Sequence, residues 1–501
     1  MEKEMKKIIA LLLVLVMCFS FASCDLLGIG GENPTPDNGD NGDENKPAPE
    51  KVRYDVPAMG YDGSEVTIKF SHTMGEHLRK ELDTAIERFN VLYPNITIEH
   101  SQIGGYDDVR DQIKQELTAG NQPHIAYCYP DHVALYNLTK KVVPLDNFIE
   151  STIEVSRADG TTEILGLTQT QIDNFIDGYY EEGAVYDEAG TMYTLPMSKS
   201  TEVLYYNKTF FEENNLTVPT TWDELEEVCA QIKAIISNPD SKYYNTQSYP
   251  LGYDSESNWF ITMCEQYNSN YTSTTGTKFL FNNKTNREFV KEFRTWYDNG
   301  YFTTQELYGA YTSGLFTNVD PTKGSCYMCI GSSAGASHQV PEKIDGEEPF
   351  QVGIAPIPQL NKDDPAAISQ GPSLCIFDQE NKQEVVASWI FVKFLTTDAE
   401  FQASFSRTSG YIPVIERSVI EEAIPFYKNW LASDDEIATA ISVALEQADA
   451  YFVSPAFNGS SKARDQVGEL MKTCFTTQAA DIDAMIKQKF EEAIAECIAD
   501  A

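Results

Sequence analysis

The chain has 501 residues and a formal net charge of −39, from 76 acidic against 37 basic side chains. Such an excess of acid offers no basic surface for nucleic acid, and its long-range field works against strongly anionic solutes unless a local basic pocket overrides it. Most of the charge is read as keeping a surface protein soluble, and the length suffices for two domain-sized bodies.

Lys3, Lys6 and Lys7 precede the apolar run Ile8 to Met17, which ends in Phe21-Ala22-Ser23-Cys24. The run falls short of the roughly 20 residues that cross a bilayer, so residues 1–23 read as a secretion signal. The tetrad resembles a bacterial lipobox, with Phe21 where Leu, Val or Ile is more usual. Cys24 would then carry the lipid; ordinary cleavage near Ala22 or Ser23, with Cys24 a bystander, is the alternative. Two or more acyl chains give stable anchoring. Residues 24–63 follow as attachment site and disordered linker, because Gly28 to Glu50 is dense in Gly, Pro, Asn and acid and too poor in apolar side chains to fold. Its DNGDNGDEN stretch lacks the closing Glu and flanking helices of a calcium loop.

Beyond the linker the pattern is α/β. Val66, Ile68 and Phe70 alternate as in a strand, and Leu78, Leu82, Ile86 and Phe89 then recur at helical spacing. Ile96 and Ile98 start a second strand, Val109, Ile113 and Leu117 mark a second helix, and Ile125 to Tyr129 gives a third strand. This βαβαβ order implies a parallel sheet, whose ligands bind beyond the carboxyl ends of its strands. The loops there are Ser71 to Met74, Gly104 to Tyr106 and Tyr129 to His132. Thr194 to Lys208 then reads as a polar loop leading into a strand, where a crossing between two lobes should lie. Thr221 with Glu224 forms a capping box that opens the next helix. Sugar recognition needs flat aromatic faces and planar or hydroxyl hydrogen-bonding groups; Tyr106, Tyr129, Asp131, Ser200, Trp259 and Tyr411 meet that need if their loops converge.

Cys128, Cys229, Cys264, Cys326, Cys329, Cys375, Cys474 and Cys497 show no disulfide-scaffold spacing and read as small buried hydrophobes. Cys326 and Cys329 alone make half of a zinc or redox site, and no paired ligands accompany them. Gly331 to Gly335 fits the GxSxG nucleophile elbow, but only His338 follows Ser333 and no acid lies between them. The segment is better read as a Gly-rich loop at a helix N-terminus offering N–H groups to a ligand oxygen. No P-loop or dinucleotide fingerprint is present, so no cofactor is expected.

Three stretches, SHTMGEHLRKELDTAIERFN (Ser71 to Asn90), TLPMSKSTEVLYYNK (Thr194 to Lys208) and TSGYIPV (Thr408 to Val414), resemble the extracellular solute-binding proteins of family 1. Within that family they are most similar to the branch of glycerol-3-phosphate and oligosaccharide binders of ABC importers. The resemblance runs from Glu65 to the C-terminus and implies a two-lobed periplasmic-binding-protein-like (type II) fold with discontinuous lobes. Lobe one is expected over 64–200 with about 375–416, and lobe two over 201–374 with about 417–501. Crossings are expected near Ser198 to Leu204, Gly371 to Phe377 and Ile415 to Glu421. By the same resemblance Tyr106, Ser200, one of Ser332 or Ser333, Gly371 and Tyr411 fall on ligand-contacting positions, and the branch's carboxylate contact falls at Pro130 or Asp131, with Asp131 preferred. Two departures stand out: Ser71 replaces a Trp of that branch, and Phe452 to Ser460 offers no counterpart of its phosphate-associated Arg. The second favours a neutral sugar over a phosphate ligand. The implied protein is a monomeric, lipid-anchored, extracytoplasmic receptor that delivers a solute to a permease with an ATPase, and is not an enzyme. The competing readings are a non-transport surface polysaccharide-binding lipoprotein and an extracellular glycosidase.

Overall fold

The computed structural model describes residues 49–500; the expected secretion signal, Cys24 and the expected linker up to residue 48 lie outside the described residues. The chain from Pro49 onward forms one compact unit. The linker expected to run to residue 63 is already docked from Lys51: Lys51 pairs with Asp146 at 2.7 Å, the Tyr54 hydroxyl donates to Asp378 Oδ1 at 2.7 Å, and its ring stacks on Phe148. Lys51, Arg53 and Tyr54 find these partners because the composition turns aromatic and basic after Glu50.

The first sheet grows from the alternation read in the sequence. Val66–His72 pairs in parallel with Ile96–Gln102 on one side and Ile125–Cys128 on the other. Ser373–Ile376 adds antiparallel to Ile125–Cys128, and Thr194–Pro196 closes the edge. Helix Glu76–Leu92 buries Leu78, Leu82, Ile86 and Phe89, and helix Tyr106–Ala119 buries Val109, Ile113 and Leu117. Their heptad-like spacing puts one apolar stripe of each on the sheet.

The second sheet centres on Ser200–Asn207, antiparallel to Cys326–Ser332 on one side and to Val352–Pro356 and Ala367–Gln370 on the other. A second core, rich in Trp222, Trp259, Phe293 and Trp296, fills the space between this sheet and helices Trp222–Ser237, Glu256–Gln266, Lys284–Asp298 and Ser460–Thr476. Thr221 caps the first of these as expected, its hydroxyl accepting the Glu224 N–H at 3.2 Å. All eight cysteines of the described residues are buried and unbridged, as small apolar fillers are.

The chain leaves the first sheet after Pro196, enters the second at Ser200, and returns between Gln370 and Ser373. The two passes touch at Gly371, whose φ is +107° and where an added Cβ would lie 2.4 Å from the Ser198 carbonyl oxygen and 2.7 Å from Lys199 Cα. Only glycine fits both the conformation and the gap. A third pass lies alongside, with the Lys199 N–H donating to Ile412 O at 3.0 Å and the Ile412 N–H returning to Lys199 O at 2.6 Å. The Lys199 side chain is fully buried in this junction, paired with Glu182 and donating to Ser373 Oγ at 3.3 Å.

Candidate ligand-binding site

A cavity opens where the two sheets meet at these passes. Its walls come from Tyr129, Pro130 and Asp131 at the carboxyl end of a first-sheet strand, from Ile368 to Gly371 at the second crossing, and from Ile261, Tyr271, Val453 to Pro455, Ser460 and Arg464 of the second half; Glu182 also lines it. Its empty space, open mouth included, is about 560 Å3.

Asp131 sits in the first turn of helix Pro130–Tyr136, where Pro130 supplies the favoured first-turn φ and the helix dipole favours an anion. Its Oδ2 is buried without a hydrogen-bond partner, and so are the Tyr271 hydroxyl, Ser369 Oγ and Ser454 Oγ on the facing walls. Tyr129 stacks on Tyr106 with centroids 4.3 Å apart, the Tyr106 and Tyr411 hydroxyls are hydrogen-bonded at 3.1 Å, and Tyr411 stacks on Phe405. Burial pushes the phenols of Tyr129, Tyr106 and Tyr271 up, so all three stay protonated donors at neutral pH.

Arg464 on the facing helix is the cavity's cation. Its guanidinium donates to Asn258 Oδ1, and Asn258 exchanges two hydrogen bonds with Gln370, at 2.8 and 3.0 Å. Among the described residues no carboxylate lies within ion-pair distance of it. Behind this chain Glu202 is buried and accepts the Tyr253 hydroxyl proton at 2.9 Å. Burial lifts its carboxyl to about 7, against the pull of the Tyr253 and Asn258 hydrogen bonds and the Arg464 charge. A carboxyl raised on folding contributes stability that is fully present below its unfolded value near 4.5 and is lost as pH rises through about 7. Glu202→Gln should therefore gain stability relative to the parent as pH rises from 5 to 8; urea unfolding at the two pH values checks this, and a pH-independent difference would refute it.

The structure brings only some of the expected residues together. Asp131 and Gly371 line the cavity; Tyr106 and Tyr411 join its wall through Tyr129. Ser200 is buried beside it, paired in register with Gln370. Three expectations are corrected. Trp259 is fully buried in the second core, stacked on Tyr253 at 4.7 Å and covered by Phe293 at 4.3 Å, so no ring face is left for a ligand. Ser333 is fully buried with its Oγ accepting the Thr201 N–H at 3.4 Å, while Ser332 Oγ caps the Ala334 N–H at 3.2 Å. That loop caps one of its own N–H groups and packs under the Gly410 turn, where a Cβ would come within 2.2 Å of the Ser333 oxygen. Phe452 to Ser460 holds no arginine, but Arg464, four residues beyond it, lines the cavity. Glu182, Tyr271, Ser369 and Ser454 were not anticipated, since no motif marks them.

Two α/β cores, joined by adjacent chain crossings and holding a cavity at the junction, define a two-lobed periplasmic-type binding protein. The comparisons narrow that class. Residues 84–433 match the bacterial extracellular solute-binding protein family, and the chain belongs to it. Members of this extracytoplasmic family bind small-molecule solutes and work with ABC permeases; family and fold are those of binding proteins and not of enzymes. The chain is 25% identical over 361 residues to the sn-glycerol-3-phosphate-binding periplasmic protein UgpB of Escherichia coli (strain K12), covering 71% of this chain and 76% of that one. In fold it is similar to the GacH receptor of Streptomyces glaucescens (14% identity, TM-score 0.66, covering 87% and 98%). It is also similar to UgpB from Mycobacterium tuberculosis in complex with glycerophosphocholine (17%, 0.66, 86% and 99%) and to MalE from Bdellovibrio bacteriovorus bound to maltotriose (16%, 0.64, 87% and 100%).

Proposed function

We propose that this chain captures a small polyhydroxylated solute, a neutral sugar or short oligosaccharide, in the cavity and hands it to an ABC permease. The observation that carries this is the set of unmet polar atoms on the walls: Asp131 Oδ2, Tyr271 OH, Ser369 Oγ and Ser454 Oγ. A buried group left unsatisfied costs about 1–3 kcal/mol, and these four belong to residues that line one cavity, which favours a ligand rich in hydroxyls. Tyr129 adds an aromatic face for the C–H surface of a sugar ring. A second reading, glycerol 3-phosphate or a glycerophosphodiester, is favoured by Arg464, a cavity-lining guanidinium without an ion-pair partner; the UgpB relative is named for such a ligand.

In this reading the receptor works as a monomer tethered through a lipid on Cys24, a role supported by the leader sequence. The two halves, divided near residues 200, 375 and 416, close on the solute because it binds the closed form more tightly. The closed form then docks on the permease and its ATPase.

A thermal-shift screen of the protein against mono- and oligosaccharides, glycerol 3-phosphate and its diesters tests the proposal, because a ligand of the native state raises the melting temperature by mass action. A saturable rise with a neutral sugar is expected. A rise with phosphates alone selects the second reading, and silence with every polyol sinks both. Asp131→Ala should weaken the active ligand about tenfold, the loss of one hydrogen bond to a charged acceptor; titration calorimetry reads it, and unchanged affinity removes Asp131 from the site.

A further inference from the structure

The two halves meet through a second polar contact, outside the cavity. Arg110 stands on helix Tyr106–Ala119, which packs through Val109, Ile113 and Leu117 against the first sheet. Its Nη1 reaches helix Ser460–Thr476 of the second core, donating to Ser461 Oγ at 2.9 Å and lying 3.3 Å from Asp465 Oδ2. From its own helix Asp111 accepts the Nε proton at 2.9 Å and Asp107 accepts from Nη1 at 3.0 Å. The guanidinium is therefore aimed by residues of its own half, whatever the other half does. Its side chain is only 12% exposed, against 38% for Asp465.

The receiving residues are next to the cavity wall in sequence. Ser461 follows Ser460, and Asp465 follows Arg464, on one helix. Adjacent helical positions point about 100° apart, so the turns that present Ser460 and Arg464 to the cavity present Ser461 and Asp465 to Arg110. We propose that Arg110 is a positioning residue for solute capture: its contact with Asp465 and Ser461 latches the two halves together and fixes the turn that carries Arg464. The contact joins helices that pack into two different apolar clusters, so it is lost when they part and its energy enters the closing equilibrium in full. For a half-buried charge pair that shifts the closed-to-open ratio about two- to fivefold, and apparent affinity changes with the closed fraction that this ratio sets.

The test needs no ligand. Nitroxides on Lys114→Cys and Lys487→Cys, both exposed and one on each half, report the interlobe distance in the full chain with Cys18 and Cys24 replaced by serine; the other eight cysteines are buried. Arg110→Ala and Asp465→Ala should each lower the ratio of short- to long-distance populations two- to fivefold. The double variant should fall no further than Arg110→Ala alone, because removing the guanidinium already removes its contacts with both Asp465 and Ser461. Melting temperatures confirm that each variant folds, and Asp465→Asn replaces any that does not. Unchanged distance populations, or losses that add in the double variant, overturn the latch. With whichever solute the thermal-shift screen identifies, Arg110→Ala should speed dissociation while leaving association within about twofold; a fall in association alone also overturns it. Because the distances are read without solute, the latch can fail while the ligand proposal stands, and the reverse.

Discussion

Lys199→Met should lower the stability of the folded unit by about 3–5 kcal/mol, the usual cost of removing one partner of a buried ion pair. Lys199 is fully buried and Glu182 is 3% exposed, so neither charge has water to fall back on. The lysine also donates to Ser373 Oγ, on the returning pass, while its backbone is paired with Ile412 on the third. Loss of the ammonium thus strands the Glu182 carboxylate and loosens the junction where three passes of the chain meet. Neutralising both partners, in Lys199→Met/Glu182→Gln, should recover most of the loss, because a pair replaced by groups of similar shape is often close to neutral. Urea unfolding of the two variants decides it. If the single variant lies within 1 kcal/mol of the parent, or the double variant is as damaged as the single one, the junction does not depend on this pair.

The same junction shows what a sequence can and cannot reveal. The alternation of Val66, Ile68 and Phe70 and the helical spacing of Leu78, Leu82, Ile86 and Phe89 specify faces to bury, so the first sheet and its helices were legible. Thr221 and Glu224 were legible because a cap is a local bond between residues three apart. Asp131 was legible as a loop residue after a strand and through a family resemblance, and Gly371 through the resemblance alone. Trp259 misled because an aromatic residue near a loop reads the same whether its faces are free or covered; only the tertiary packing of Tyr253 and Phe293 tells them apart. Ser332 and Ser333 misled for the opposite reason, since a Gly-Ser loop that could bind a ligand can as easily bind its own backbone. Glu182 and Tyr271 carry no local signal at all: the first becomes a wall residue because Lys199 holds it there from 17 residues away, the second because its unpartnered hydroxyl faces a space built by other elements. Arg464 lay just past the stretch that was compared, and on a helix, where sequence alone does not say which side faces the cavity.

Arg464 therefore decides the ligand class, and Arg464→Ala should be the most damaging change to binding. The guanidinium lines the cavity with one hydrogen bond, to Asn258, and no carboxylate at ion-pair distance among the described residues. Its remaining N–H groups are available to a solute oxygen. A hydrogen bond to a charged group contributes about 1.5–3 kcal/mol, so affinity should fall roughly 10- to 200-fold, more than for Asp131→Ala. The pattern across ligands carries the argument. A phosphate ester takes two parallel bonds from the planar fork, so Arg464→Lys should restore only part of its affinity and binding should weaken steeply with added salt. A neutral sugar accepts a single bond from the same group, so Arg464→Lys should restore most of its affinity and salt should matter little. Titration calorimetry at two ionic strengths, on the parent and both variants, separates these cases; equal affinity in parent and Arg464→Ala for every solute that binds would place the ligand elsewhere in the cleft. The Asn258 and Gln370 pair holds the guanidinium in place from the crossing side, so this one arginine reports on what the solute carries.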